Sequence, residues 1–129
     1  MPKLLTDVLA VLLVLHGLIH LMGLVVYMRL GRIEGLDYKT TLLGGIDLHD
    51  LGTRIFGLLW ALPALGFVAA AVALWAGWPA WQALLVGVTM LSLVLTTLDW
   101  AKTYAGAVID VVILGAVWMG PRVLPWIAR

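Results

Sequence analysis

The sequence predicts an all-α fold: a four-helix transmembrane bundle with up-down topology and a long first loop. Three observations carry that reading. The chain of 129 residues is 64% hydrophobic and 12% charged, with a mean hydropathy of +1.09, whereas a soluble domain is about half apolar and about a quarter charged. The apolar residues fall in four blocks of about twenty, the length that crosses ~30 Å of hydrocarbon. Each block must then be helical, because lipid offers the backbone no hydrogen-bond partner outside its own segment.

The spans follow in order and make one integral membrane domain over 1–129. The first is expected over about 7–28. Its run from Val8 to Tyr27 contains no Asp, Glu, Lys or Arg. It is longer than a secretory apolar region and no small-residue cleavage site follows it, so it reads as a retained helix. The second is expected over about 54–76, the third over 81–98 and the fourth over 106–126. Pro63 is expected to kink the second, and Pro121 and Pro125 to fray the end of the fourth.

The connections are unequal. Residues 29–53 hold Arg29, Arg32, Glu34, Asp37, Lys39, Asp47 and Asp50, with five glycines among them. This stretch reads as a surface loop with room for a short interfacial helix. The second connection is the tight turn Gly77-Trp78-Pro79-Ala80. Its flanking Trp75, Trp78 and Trp81 suit a membrane interface. The third, from Asp99 to Gly106, is short and polar. Arg29, Arg32, Lys39, Arg54 and Lys102 stand on the loop side, against Lys3, Arg122 and Arg129 on the side of the termini. The positive-inside rule therefore leans toward a cytoplasmic loop and external termini.

Composition excludes several classes. A formal net charge of +1 provides no basic face for nucleic acid. Zero cysteines remove disulfides, thiolate metal sites, thiol catalysis and cysteine lipidation. The partner that remains is the lipid bilayer, with a homo-oligomer or a larger membrane complex open beside it. No cofactor is identified by the sequence.

Function is sought where ionisable groups enter the membrane, since each is costly there unless paired. His16 and His20 lie four apart and stack on one face of the first helix, a face that Gly23 and Tyr27 continue toward the loop. Thr89, Ser92, Thr96 and Asp99 form a stripe on the third helix. Asp110 lies about one turn inside the fourth, and Arg54 opens the second. These groups are expected to meet in one intramembrane site built from His16, His20, Arg54, Asp99 and Asp110, with Ser92 and Thr96 as hydroxyl partners. Arg54 would be its fixed cation. Asp47, His49 and Asp50 would form a polar cluster at its mouth, either as a solvated loop or, through Asp50, as the start of a helix.

Each signal has a plainer meaning as well. The histidines, with Asp110, have the makings of a two-His, one-carboxylate metal set, or they hydrogen-bond neighbouring helices and rigidify the bundle. Both lie on one helix, which disfavours haem. Arg54 with an aspartate reads as a structural ion pair or as a holder of anionic groups. Three function classes stay open: a protein that binds or translocates a small ligand, proton or ion; a non-catalytic accessory or assembly subunit of a larger membrane complex; and an integral membrane enzyme acting on a lipid or quinone, for which no nucleophile or phosphate-loop motif is present. The first, a non-enzymatic role, is preferred.

The run His16-Gly17-Leu18-Ile19-His20-Leu21-Met22-Gly23 resembles the HG-x-x-HL-x-G first-helix signature of a widespread family of small four-helix bacterial membrane proteins. Arg54-Ile55-Phe56-Gly57-Leu58-Leu59-Trp60 resembles that family's R-x-x-G-L-L-W-like second helix. Asp99-Trp100-Ala101-Lys102 is similar to its aspartate-alanine-lysine turn, with Trp100 interposed. Where the family often has an asparagine early in the last helix, this chain has Asp110 at a slightly different offset. The likeness to DoxX-like proteins is one of architecture only. The resemblance implies multi-pass residence in the bacterial inner membrane and importance for His16, His20 and Arg54. It supplies no activity.

Overall fold

Four helical crossings organise the chain in a computed structural model that describes residues 1–123. Helix α1 spans Lys3–Tyr27. The second crossing, His49–Trp75, is two helices end to end, α2 (His49–Leu59) and α3 (Ala61–Trp75). Helix α4 spans Trp81–Leu98 and α5 spans Trp100–Val123. The protein is a small all-α multi-pass membrane protein. Two expected boundaries move: the second crossing begins at His49 and the fourth at Trp100. Residues 124–126 of the expected fourth span lie outside the described residues, as do Pro125 and Arg129. Pro121 is accommodated inside α5.

Local chemistry explains the breaks. Pro63 has no N–H and its ring crowds the Leu59 carbonyl, so the second crossing interrupts at Trp60, whose N–H turns back to Gly57 O at 3.1 Å. Gly77, at φ 70°, ends α3. Its N–H donates to Leu74 O at 3.1 Å and that of Trp78 to Ala73 O at 2.8 Å, the paired closure that favours a left-handed glycine. In α5 the helical path is distorted at Thr103 (φ −124°, ψ 15°), whose hydroxyl donates to Asp99 O at 3.0 Å and Thr96 O at 2.9 Å.

The long loop holds no interfacial helix, contrary to the room left for one. It folds as a small antiparallel hairpin, β1 (Thr41–Leu42) against β2 (Ile46–Asp47), in the register Thr41↔Asp47 and Leu42↔Ile46. Leu43 N–H donates to Leu98 O at 3.2 Å and ties the hairpin to the end of α4. Leu36 and Leu42 drop from this loop into the core.

The closest packing is of α1 along α3, α3 along α4, and α4 along α5, with α2 against the loop end of α1. Two apolar clusters fill the contacts. One, toward the termini, centres on Leu13, Phe67, Ala70, Leu74 and Leu85. The other, under the loop, centres on Val26, Phe56, Trp60, Leu42 and Leu95. Large apolar side chains such as Val11, Leu62, Leu65, Val72 and Val112 are more than half exposed. In water a surface of that kind would be an interaction hazard; a bilayer covers it.

Candidate intramembrane polar site

Between the two apolar clusters lies a polar one. The buried positions of α1 (Leu13, His16, Gly17, His20, Gly23, Val26 and Tyr27) form one stripe of three- and four-residue steps, which turns both imidazoles inward. Close helix approach makes this possible. A Cβ on Gly17 would stand 2.9 Å from Ala64 O, and one on Gly23 would stand 2.5 Å from the Trp60 ring. His16 packs edge-on to Phe67, with ring centroids 4.6 Å apart, and His20 lies 5.6 Å from the Trp60 ring.

Three helices supply the hydrogen bonds. His16 Nε2 is 3.0 Å from Asp110 Oδ1. Ser92 Oγ stands between two partners, 2.6 Å from Asp110 Oδ2 and 2.6 Å from His20 Nε2. His20 Nδ1 is 2.8 Å from the His16 carbonyl. Thr96 Oγ1 donates to Ser92 O at 2.9 Å and lies 3.5 Å from Asp110 Oδ2. Ser92 and Asp110 are fully buried. No Lys or Arg ion pair reaches Asp110 among the described residues.

Asp99 belongs to a second cluster nearer the loop. The Tyr27 hydroxyl donates to its Oδ2, and Lys39 Nζ lies 2.6 Å from its Oδ1. Asp99 is fully buried, while Lys39 reaches in from the loop with its side chain about a quarter exposed (26%). The expected single site is therefore two sites, stacked along α1.

Arg54 joins neither, which corrects the expectation that it is the fixed cation. The inward face of α2 is Thr53, Phe56 and Gly57. Arg54 sits one residue round from that face, is exposed, and makes no ion pair among the described residues. Lys39, a loop residue without helical periodicity to betray it, supplies the charge that Arg54 was expected to supply. Tyr27 was legible only as a continuation of the histidine face.

The metal reading also fails on geometry. His20 has both ring nitrogens engaged within the protein. Among the described residues no group of three or more His, Cys, Asp or Glu side chains is arranged to hold an ion. Asp47, His49 and Asp50 stay exposed at the loop surface. His49 opens α2, with its N–H donating to Asp47 Oδ1 at 2.9 Å. That bond holds the Asp47 carboxyl below the usual carboxylate range. Asp50 accepts from the Tyr38 hydroxyl at 2.6 Å, which pushes the Tyr38 phenol up, and it pairs with Arg29 at 3.5 Å. This group is a surface network and does not reach the histidines.

The mid-membrane cluster borders a cavity of about 290 Å³ between α1 and α5, near the lower end of volumes that hold small ligands. His16, His20, Gly23, Trp60, Thr96 and Ile109 line its depth, and Glu34 and Lys102 line its loop end. Its walls are mainly apolar, with imidazoles and hydroxyls at a few positions.

No protein-family model matches this chain, and neither a curated protein nor a solved structure does.

Proposed function

We propose that this protein binds a small ligand or exchanges protons at the mid-membrane cluster, with His16 and His20 as the working groups and Asp110, Ser92 and Thr96 as their partners. The observation that carries the reading is the cavity beside the imidazoles. A network that served only to rigidify the bundle would have no need of a void. A polar group at membrane depth is a functional hypothesis by default, and here four of them, from three helices, join in one network, of which His16 and His20 line the cavity. The likeness of the His16–Gly23 run to bacterial four-helix membrane proteins supports residence in a bacterial inner membrane.

The test is thermal unfolding of the detergent-solubilised protein with acetate, benzoate and phenol as probes, and across pH. The proposal predicts a midpoint rise with at least one probe. That rise disappears in Ile109→Trp, which fills the cavity, and survives in Val111→Trp, which faces outward. Equal responses in all three proteins would overturn it.

A second reading, a subunit of a larger membrane assembly or homo-oligomer, rests on α5. It packs along α4 alone among the helices with substantial contacts, and its buried residues are Ala107 and Asp110 only. A stoichiometric partner retained in mild detergent supports this reading, and a stable monomer opposes it.

A further inference from the structure

We propose that His20, Ser92 and Asp110 share one mobile proton, and that His16 Nδ1 is the port through which the cluster exchanges protons with the cavity. The port rests on the reading of the cavity as the working face; the shared proton rests on hydrogen-bond geometry alone.

The hydrogens can be counted. A backbone carbonyl only accepts, so His20 Nδ1, 2.8 Å from the His16 carbonyl, carries a proton and donates it. The other nitrogen of that ring is 2.6 Å from Ser92 Oγ, and the same oxygen is 2.6 Å from Asp110 Oδ2. A hydroxyl has one hydrogen, so it donates in one direction and accepts from the other.

Two assignments satisfy every atom. In the first, His20 is an imidazolium: its Nε2–H donates to Ser92, and Ser92 donates to the Asp110 carboxylate. In the second, His20 is neutral: Nε2 accepts from Ser92, and Ser92 accepts from a protonated Asp110 Oδ2. In both, His16 Nε2–H donates to Asp110 Oδ1 across 3.0 Å. Both are electrically neutral, the first because a cation and an anion cancel, the second because neither exists. That neutrality matters where no Lys or Arg reaches Asp110 among the described residues.

Conversion from the first to the second is balanced. The His20 Nε2–H bond breaks as a new O–H bond forms on Ser92. The former Ser92 O–H bond breaks as one forms on Asp110 Oδ2. One proton has passed from imidazolium to carboxylate, and no heavy atom has to travel.

The surroundings add no competing charge from the packed helices. Against this trio the α2–α3 junction offers the Trp60 ring and α3 the Phe67 ring, and α4 adds the Thr96 hydroxyl. The charged residues lining the cavity are Glu34 and Lys102, at its loop end. Asp99 is already matched by Lys39.

His16 supplies the connection outward. Its Nε2 faces Asp110, while its Nδ1 has no partner among the described residues and is not sealed from the surface. When Asp110 is the carboxylate, a proton that arrives at Nδ1 from the cavity forms an N–H bond there as the Nε2–H bond breaks and its proton passes to Asp110 Oδ1; the cluster then holds one extra proton, which leaves by the reverse of the same path. A donor of the weak-acid class, or a hydronium ion, is the chemistry that such a port accepts.

The test uses the full chain in lipid nanodiscs, without added ligand. Infrared difference spectra across pH follow the carboxylic-acid band of Asp110, identified by its loss in Asp110→Asn and its persistence in Asp99→Asn. Nitrogen-15 histidine resonances follow His20 Nε2. In the wild type the two signals are expected to change at one midpoint. In Ser92→Ala the midpoints separate by about one pH unit or more, because the sites no longer titrate as a unit, and Ser92→Thr restores coincidence. Coincident midpoints in Ser92→Ala overturn the proposal. So does a wild type whose midpoints differ, or whose Asp110 and His20 are unchanged at every pH; these wild-type outcomes decide the matter if Ser92→Ala does not fold. Ligand binding plays no part in this readout, so a failed probe screen and a failed relay are separate results.

Discussion

The two polar clusters of this protein differ in how their charge is balanced. Near the loop, the buried Asp99 meets a full cation, Lys39, and a phenol donor, Tyr27. At mid-membrane the equally buried Asp110 meets only the His16 imidazole and two hydroxyls. A permanent cation fixes a carboxylate in one state. Imidazoles and hydroxyls leave the proton's position open. The difference teaches that burial alone does not mark a working site: the loop cluster reads as a lock that pins the loop to the bundle, and the mid-membrane cluster as the part with two states.

The largest expected effect breaks the lock. Lys39→Met leaves a buried carboxylate without its cation and should cost about 3 kcal/mol, at the low end for broken buried pairs because Lys39 is partly exposed. Lys39→Met combined with Asp99→Leu should recover most of that loss. Detergent unfolding measures both, and an additive double variant would show that the pair is not coupled. Next, Gly23→Ala places a methyl group against the Trp60 ring and should cost about 2 kcal/mol by overpacking, read as a lower unfolding midpoint.

Ser92→Ala should cost less, about 1 kcal/mol, the scale of one interhelical hydrogen bond in a membrane. If it destabilises more than Lys39→Met, the assignment of lock and working site is reversed. Arg54→Ala, on the exposed face of α2, should change stability by no more than about 0.5 kcal/mol. A large loss there would restore Arg54 to the site.

The smallest effect belongs to the surface network. The Asp47 carboxyl is held below its ordinary range by the His49 N–H. Its folded value is the lower one, so its contribution is present above the unfolded carboxylate range and is lost as pH falls through the folded value. Hydrogen exchange at the His49 amide should quicken over that acidic window while the α1 core amides do not respond. Simultaneous quickening in both would contradict the separation of this network from the bundle.

Much of this arrangement is legible in the residues. The four-step between His16 and His20 puts both on the inward face of α1, and the steps from Ser92 to Thr96 and Asp99 align the α4 partners. Apolar block length predicts the four crossings. What the sequence conceals has physical causes. Arg54 is misplaced because α2 begins at His49 and turns Thr53, Phe56 and Gly57 inward. Lys39 is invisible because a loop residue has no period, and only the folded hairpin carries it to Asp99. The separation of Asp99 from Asp110 depends on the end of α4 and the distortion at Thr103, where helical spacing does not extrapolate.

The central claim is that the mid-membrane imidazoles face an accessible cavity through His16. Carbethoxylation with diethyl pyrocarbonate, mapped by mass spectrometry on the protein in membranes, measures this directly, with exposed His49 as the internal control. The structure predicts modification at His49 and His16 and protection of His20, whose ring nitrogens are both engaged. Modification confined to His49, with both buried imidazoles inert, would contradict it.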